Sequence, residues 1–531
     1  MRIHQLHIKR CQSVVGFKNL IDFVIDFDSD SPTTVLVGRN GTGKSNIMEA
    51  LTVIFRDLDL EEPVPQFAYH LEYVCRGKRI KVDADPDRPS RKIQFNVDGE
   101  SITVKAFREG KRGYLPNYVF GYYSGPSNRM QDHFLKHQDR FYAELISDSQ
   151  DDHLPLRPLF FAQHIHSQFV LLAFFLEQDE EVLKFLNDHL GIVELDSVLF
   201  VMKQPPWSSR EGDERFWRAC GAVARLLDRL YRQSLAPMRH KWRVPLGFRK
   251  NTELEHLYLY LPSAKALQEL KSEYATQQDF FKALESTYIS DLIREVRTRV
   301  KVRCSDAPLT FRELSEGEQQ LLMVLGLLRF TREDESLFLL DEPDTHLNPA
   351  WSVQYLDFLR TVGGLGENGH VIMATHDPLV IAGLTRQQVR VMLRDTPDAP
   401  IRAEMPEIDP RGMGINGLLR SDIYGLSSAL DFPTLEKIEE RDSIRAKQKK
   451  LLARGKDLSD KDRLRLIRLS DELSSLGFSR DFRDPIEQQF ADAMARRRTE
   501  EGPVVLTPTQ LKEQEKLADT VLDEVLGGEG K

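Results

Sequence analysis

Short apolar and polar alternations open the chain. Ile3, Leu6 and Ile8, then Phe23, Ile25 and Phe27, predict two strands within Ile3–Ile8 and Ile21–Phe27. Thr33-Thr34-Val35-Leu36-Val37 is apolar without alternation and predicts a strand buried on both faces. A helix follows, from Asn46 to about Phe55. Lys78–Val82, Lys92–Val97 and Ser101–Val104 predict further strands, broken by the loop Asp85-Pro86-Asp87-Arg88-Pro89. Tyr118–Tyr123 is another apolar strand.

From about Asn128 to Val300 the pattern turns mostly helical. Phe134, Leu135, Phe141, Tyr142 and Leu145 share one face, Leu183, Phe185 and Leu186 a second, and Phe216, Ala222, Val223, Leu226, Leu227 and Leu230 a third. Sustained heptads are absent, which argues against a long coiled coil. From Leu309 the sheet pattern returns. It gives a helix over Glu316–Phe330, a buried strand over Leu337–Leu340, a helix from Pro349 to about Thr361 and the strand Val371–Ala374. The Pro- and Asp-rich stretch Arg394–Pro410 predicts a loop, and from Thr434 the chain is helical and highly charged. A linker near Gly502-Pro503 precedes a last helix, Thr509 to about Leu526, and a glycine-rich tail expected to be disordered. The chain is therefore expected to be α/β, with lobes at 1–127 and 305–400, a helical insertion or lid at 128–304 and a charged helical extension at 401–531.

Composition narrows the class. The chain has 531 residues, 41% hydrophobic and 29% charged, enough for a large core. Its longest apolar run, Phe169–Leu176, ends at Glu177 and is too short to span a bilayer, so no membrane association is expected. The start lacks a signal-peptide apolar core, and Cys11, Cys75, Cys220 and Cys304 have no metal-ligand spacing; a cytosolic protein is the expectation. The net charge is −9, which excludes a simple polycation for DNA. A local run of Lys and Arg from Arg441 to Arg468 could contact nucleic acid or an acidic partner. Asp457, Asp460 and Asp462 interrupt it, which favours a solvated helical face with ordinary charge pairs.

Four constellations carry chemistry. Gly38-Arg39-Asn40-Gly41-Thr42-Gly43-Lys44-Ser45 stands between a strand and a helix, the context a phosphate-binding loop needs. Its glycines let backbone N–H groups close on phosphate oxygens, Lys44 would reach the β/γ-phosphates and Ser45 would ligate Mg²⁺. Leu337–Leu340 delivers Asp341 and Glu342 at a strand's C-terminal end; Asp341 would complete the Mg²⁺ site and Glu342 would orient or deprotonate the attacking water. Ser315 and Glu318 form a Ser-x-x-Glu capping box, and the helix N-terminus at Ser315-Glu316-Gly317 could equally be offered to the γ-phosphate of a nucleotide held by another subunit. His376, ending the strand Val371–Ala374, could bond the γ-phosphate or the water; a lone histidine is more often structural.

These four, in this order, resemble the ABC-type ATPases, in their SMC/RecF-like and overcoming-lysogenization-defect (OLD) branch. Gly38–Ser45 looks like that family's Walker A, Leu337–Glu342 its Walker B, Leu314–Gln320 its signature motif, Asp344–Leu347 its D-loop and His376 its switch histidine. The resemblance implies a P-loop ABC-type ATPase head that binds ATP and Mg²⁺ and sandwiches two ATPs between two copies, with Ser315 and Gly317 acting in trans. Glu316 departs from the glycine usual in transporters, and no glutamine loop is identifiable after Tyr123, only Ser124-Gly125-Pro126 and the later Gln131. Phe55–Leu60, Gly121–Gly125 and Ser421–Leu426 are similar to the PtuA-type ATPases of Septu anti-phage systems, some of which are attached to retrons. That narrower resemblance implies a separately encoded HNH-class nuclease partner and, in the retron-attached form, a reverse transcriptase with its multicopy single-stranded DNA.

Rival functions make different demands. A Toprim nuclease needs an acidic cluster after a strand, but Asp409, Asp422 and Asp431 are scattered among turns, so no intrinsic nuclease is expected. His133/His137 and His164/His166 lack an HNH pattern. A DNA-repair head of the SMC/RecF kind would show DNA-stimulated turnover without a toxic partner. A transporter subunit would have its signature much nearer the phosphate loop.

Overall fold

The computed structural model describes residues 1–27, 30–146, 157–207, 212–245, 251–332, 334–366, 368–396, 398–426, 430–452, 457–476 and 516–522. These divide into two compact units, Met1–Met405 and Pro406–Lys531.

The first unit is organised by a seven-stranded sheet. Its spatial order is Arg402–Glu404, Val389–Leu393, Thr33–Gly38, Gly369–Ala374, Ser336–Asp341, Tyr118–Tyr123 and Leu159–Phe161. All neighbours are parallel except Arg402–Glu404, a short antiparallel edge inside the stretch expected to be a loop. Every residue of Thr33–Gly38, Ser336–Asp341 and Gly369–Ala374 is buried, as their unbroken apolar runs require. Asp341 pairs with Ala374, and Ala374 with Leu36, so two strands end together and Thr33–Gly38 runs two residues beyond them.

The helix Lys44–Asp59 leaves the end of the first of these strands and is wedged between two sheets. Ile47, Met48, Leu51, Ile54 and Phe55 join one core with the seven-stranded sheet and a six-stranded antiparallel sheet. That second sheet runs Phe23–Asp26, Arg2–Lys9, Ala68–Cys75, Lys78–Ala84, Ile93–Val97 and Glu100–Ile102. Full burial of such side chains contributes roughly 1.5–3 kcal/mol each, which holds the helix N-terminus at a fixed height above the strand ends. Thr103 accepts from the Ala106 backbone N–H and caps a short helix from Val104, ending the strand expected to run to that residue.

The stretch expected to be a helical insertion carries the helices Asp132–Ile146, His164–Glu177, Glu180–Leu190, Gly221–Gln233 and Gln277–Ile289. It also carries four strands of an antiparallel five-stranded sheet that its pattern did not predict, in the order Met238–Pro245, Asn251–Leu261, Ile192–Lys203 and Ile293–Val302, with Ser305–Thr310, just beyond it, as the fifth. "Mostly helical" is therefore corrected for this stretch. The apolar helix His164–Glu177 is buried along Phe169–Leu176, and a Cβ on Gly326 would lie 2.1 Å from Val170, so the glycine permits close approach of Glu316–Phe330. Among the described residues no helix is long and apolar enough to cross a membrane.

In the second unit the helices Phe432–Leu452 and Asp460–Ser475 pair antiparallel. Lys447 Nζ meets Asp462 at 2.6 Å, Arg465 meets Glu440 at 2.5 Å and Lys437 meets Glu472 at 2.8 Å. The Asp462 that interrupts the basic run is thus a partner of it, as the charge-pair reading holds. The expected linker at Gly502-Pro503, the glycine-rich tail and most of the helix Thr509–Leu526 lie outside the described residues; 516–522 are helical.

Candidate nucleotide site

The loop Gly38–Ser45 bends through backbone that other residues resist. Gly38, Gly41 and Gly43 have φ of 151°, 82° and 88°. A Cβ on Gly38 would sit 2.5 Å from the Met392 carbonyl oxygen, and one on Gly43 2.9 Å from Leu20 Cδ2. Thr42 Oγ1 donates to the Arg39 carbonyl at 2.8 Å, and Lys44 Nζ to the Gly38 carbonyl at 2.8 Å and the Arg39 carbonyl at 3.4 Å. Lys44 is buried, and that burial lowers its ammonium to about 8 against the opposing pull of Glu342 and Asp341.

The acids stand beside the loop because the strands that carry both are parallel neighbours of Gly369–Ala374. Asp341 is buried, which raises its carboxyl; a hydrogen bond from Ser45 and the charges of Arg129 and Lys44 oppose the rise, and Glu342 adds to it. Ser45 and Asp341, expected to share a metal ion, are therefore close enough for the hydroxyl to act on the carboxyl. Glu342 has φ of 54°, a left-handed conformation costly for a residue with a Cβ, fixed by its N–H donating to the Ala374 carbonyl at 2.9 Å. His376 Nε2 lies 3.6 Å from Glu342 Oε1. Burial, with help from Lys44, lowers the imidazole against the pull of Glu342, which favours its neutral form. Behind them Thr375 Oγ1 donates to Asp344 at 2.6 Å, and burial pushes the Asp344 carboxyl up to about 7.

The segment Ser315–Gly317 packs on the turn that follows Glu342. Ser315 caps the helix Glu316–Phe330: its Oγ accepts from the Glu318 N–H at 3.3 Å, and Glu318 accepts from the Ser315 N–H at 2.6 Å. Glu316 faces His346 at 3.4 Å, and a Cβ on Gly317 would lie 2.3 Å from the His346 carbonyl oxygen. Ser315 and Glu316 are exposed, and no hydrogen bond or ion pair found among the described residues joins Ser315, Glu316 or Gly317 to the loop Gly38–Ser45.

A family model described as "AAA ATPase domain" matches residues 1–112, and one described as "AAA domain, putative AbiEii toxin, Type IV TA system" matches residues 239–382. The Septu protein PtuA of Bacillus mycoides (strain KBAB4) is 27% identical over 171 residues. Over these segments the chain is similar to AAA ATPase domains and to PtuA. The matched region is 30% of this chain and spans 23% of the length of that relative. Among solved structures, the SMC head bound to the C-winged helix domain of ScpA aligns at 12% identity and a TM-score of 0.32, covering 76% of this chain and 98% of that one. The SMC head domain from Thermotoga maritima aligns at 14% and 0.31, covering 76% and 99%.

Two residues beside the phosphate loop escaped the sequence. Arg129 Nη2 donates to Asp341 Oδ2 at 3.4 Å, and its guanidinium lies 5.0 Å from the Tyr123 ring centroid. Glu49, fully buried on the helix after the loop, bonds Lys18 and, at 2.7 Å, His133. Arg129 follows the strand Tyr118–Tyr123, where the glutamine loop was sought. Gln131 instead lines a cavity of about 220 Å³ with Gln163, Gln319 and Gln320.

Proposed function

We propose that this chain binds and hydrolyses ATP between two copies of itself, and that this cycle controls a separately encoded HNH-type nuclease in anti-phage defence. The observation that carries the ATPase half is the strained Glu342, next to Asp341, 3.6 Å from His376 and acting electrostatically on Lys44 of the phosphate loop. The defence half rests on the similarity to PtuA, a Septu protein.

The donor set fits Mg²⁺: a hydroxyl and a carboxylate, both hard oxygen ligands, side by side. Ser45 and Asp341 would hold the ion, which supplies charge neutralisation at the β- and γ-phosphate oxygens. Loop N–H groups and Lys44 bind the phosphates. Glu342 orients the attacking water and takes its proton, while neutral His376 holds the water or the γ-phosphate in line. The exposed helix end at Ser315-Glu316-Gly317 serves the partner copy's nucleotide, because it bonds nothing in its own loop.

The Lys44 ammonium gives a pH test. With its value at about 8 in the nucleotide-free chain, Lys44 loses its proton as pH rises through 8, and bound phosphates restore it. Binding therefore takes up a proton above that pH, and ATP affinity falls by up to about tenfold per pH unit. Calorimetry at pH 8.5 in two buffers of different ionisation enthalpy reads the uptake. Proton release, or an affinity flat across this range, contradicts it.

The extension from Thr434 is the proposed nuclease dock. Removing residues 434–531 is expected to abolish co-purification of the nuclease encoded beside this chain while ATP turnover stays within about twofold, since these residues lie outside the Met1–Met405 unit. Retained co-purification excludes this dock.

A further inference from the structure

Arg129 stands between two carboxylates and satisfies only one. Its Nη2 reaches Asp341 at 3.4 Å, within a hydrogen bond, whereas its Nε lies 3.7 Å from Glu49 Oε1, outside one. Both the Arg129 Nε and the Glu49 Oε1 are shielded from solvent and without a hydrogen-bond partner. A shift of under about 1 Å would close that second pair at ordinary hydrogen-bond length. Glu49 does not need Arg129 for charge, because Lys18 and His133 already bond it. Arg129 thus has a seat in use and a seat in reserve.

We propose that Arg129 is a positioning residue that exchanges with the metal ion at Asp341, passing to Glu49 when the ion arrives. This rests on the reading that Asp341 is a metal ligand. A guanidinium and a divalent cation cannot share one carboxylate without strong repulsion in a site this buried. With the ion there, Arg129 falls back on Glu49 and gains the bond it lacks. The exchange would pull on the segment Ser124–Gln131, which runs from the strand Tyr118–Tyr123 into the helix Asp132–Ile146, whose His133 bonds the same Glu49. Occupancy of the metal site would in this way be signalled out of the nucleotide-binding lobe into the insertion.

The test uses the full chain saturated with ADP and Mn²⁺ as the probe, its affinity read by electron paramagnetic resonance. Arg129→Gln removes the competing cation and is expected to tighten Mn²⁺ binding about tenfold. Glu49→Gln takes the negative charge from the reserve seat and is expected to weaken Mn²⁺ binding severalfold. Loss of a merely structural residue would weaken both. Equal or weaker Mn²⁺ binding in Arg129→Gln, with metal-free ADP affinity unchanged, overturns the proposal, as does unchanged or tighter binding in Glu49→Gln. Should Arg129→Gln not fold, Arg129→Met, which keeps the apolar stem and removes the charge, is expected to bind Mn²⁺ more tightly than the native chain, and no change overturns the exchange. Asp341→Asn separates the two readings: native Mn²⁺ affinity there removes Asp341 as the ligand, whatever Arg129 does.

Discussion

Glu342→Gln is expected to lower ATP turnover about a thousandfold while ATP affinity stays within about twofold. The substitution keeps the shape and removes only the carboxylate's capacity to orient water and accept its proton. The left-handed backbone at this position is fixed by the Ala374 carbonyl and by the strand it terminates, so an isosteric side chain leaves the loop and Lys44 in place. Losing a negative charge near the phosphates should strengthen ATP binding slightly, which further separates the two readouts. Phosphate release measures the first and a fluorescent ATP analogue the second. Native turnover in the variant would remove Glu342 from the chemistry.

The parts of this site that the sequence shows plainly are those encoded by local pattern. Gly38–Ser45 combines glycine spacing with a buried strand before it and a helix after it, and each of the three is a short-range signal. Asp341-Glu342 and His376 are legible for the same reason, since each follows an unbroken apolar strand. Arg129 is not. It lies in a loop with no periodicity, and its meaning comes from Asp341, far along the chain, through strands that pair side by side. The five-stranded sheet was half visible. Ile293–Val302 alternates buried and exposed residues almost strictly, a strand signal inside a stretch assigned to helices. Ile192–Lys203 buries Val198, Phe200, Val201 and Met202 nearly in succession, and such a run fits a buried helix as well as a strand. Ser315 shows the opposite limit: its capping role is written in four residues, whereas a role toward another chain leaves no trace within one.

That role carries the second large effect. Ser315→Arg is expected to lower turnover about a hundredfold or more by placing a bulky side chain where the partner's nucleotide must close. Loss of the cap alone accounts for little of this. Ser315→Ala costs about 1 kcal/mol of helix stability and serves as the control. Lys44→Ala disables the other half of the site by removing the ammonium from the phosphate loop. Each variant alone should be nearly inactive. Mixed in equal amounts they form hybrid dimers in which one of two sites joins an intact loop from the Ser315→Arg chain to an intact helix end from the Lys44→Ala chain. ATP turnover of that mixture is the direct measurement of whether two copies share the site. Recovery of about a quarter of native activity is the predicted result. A mixture no more active than the average of its two components would contradict it.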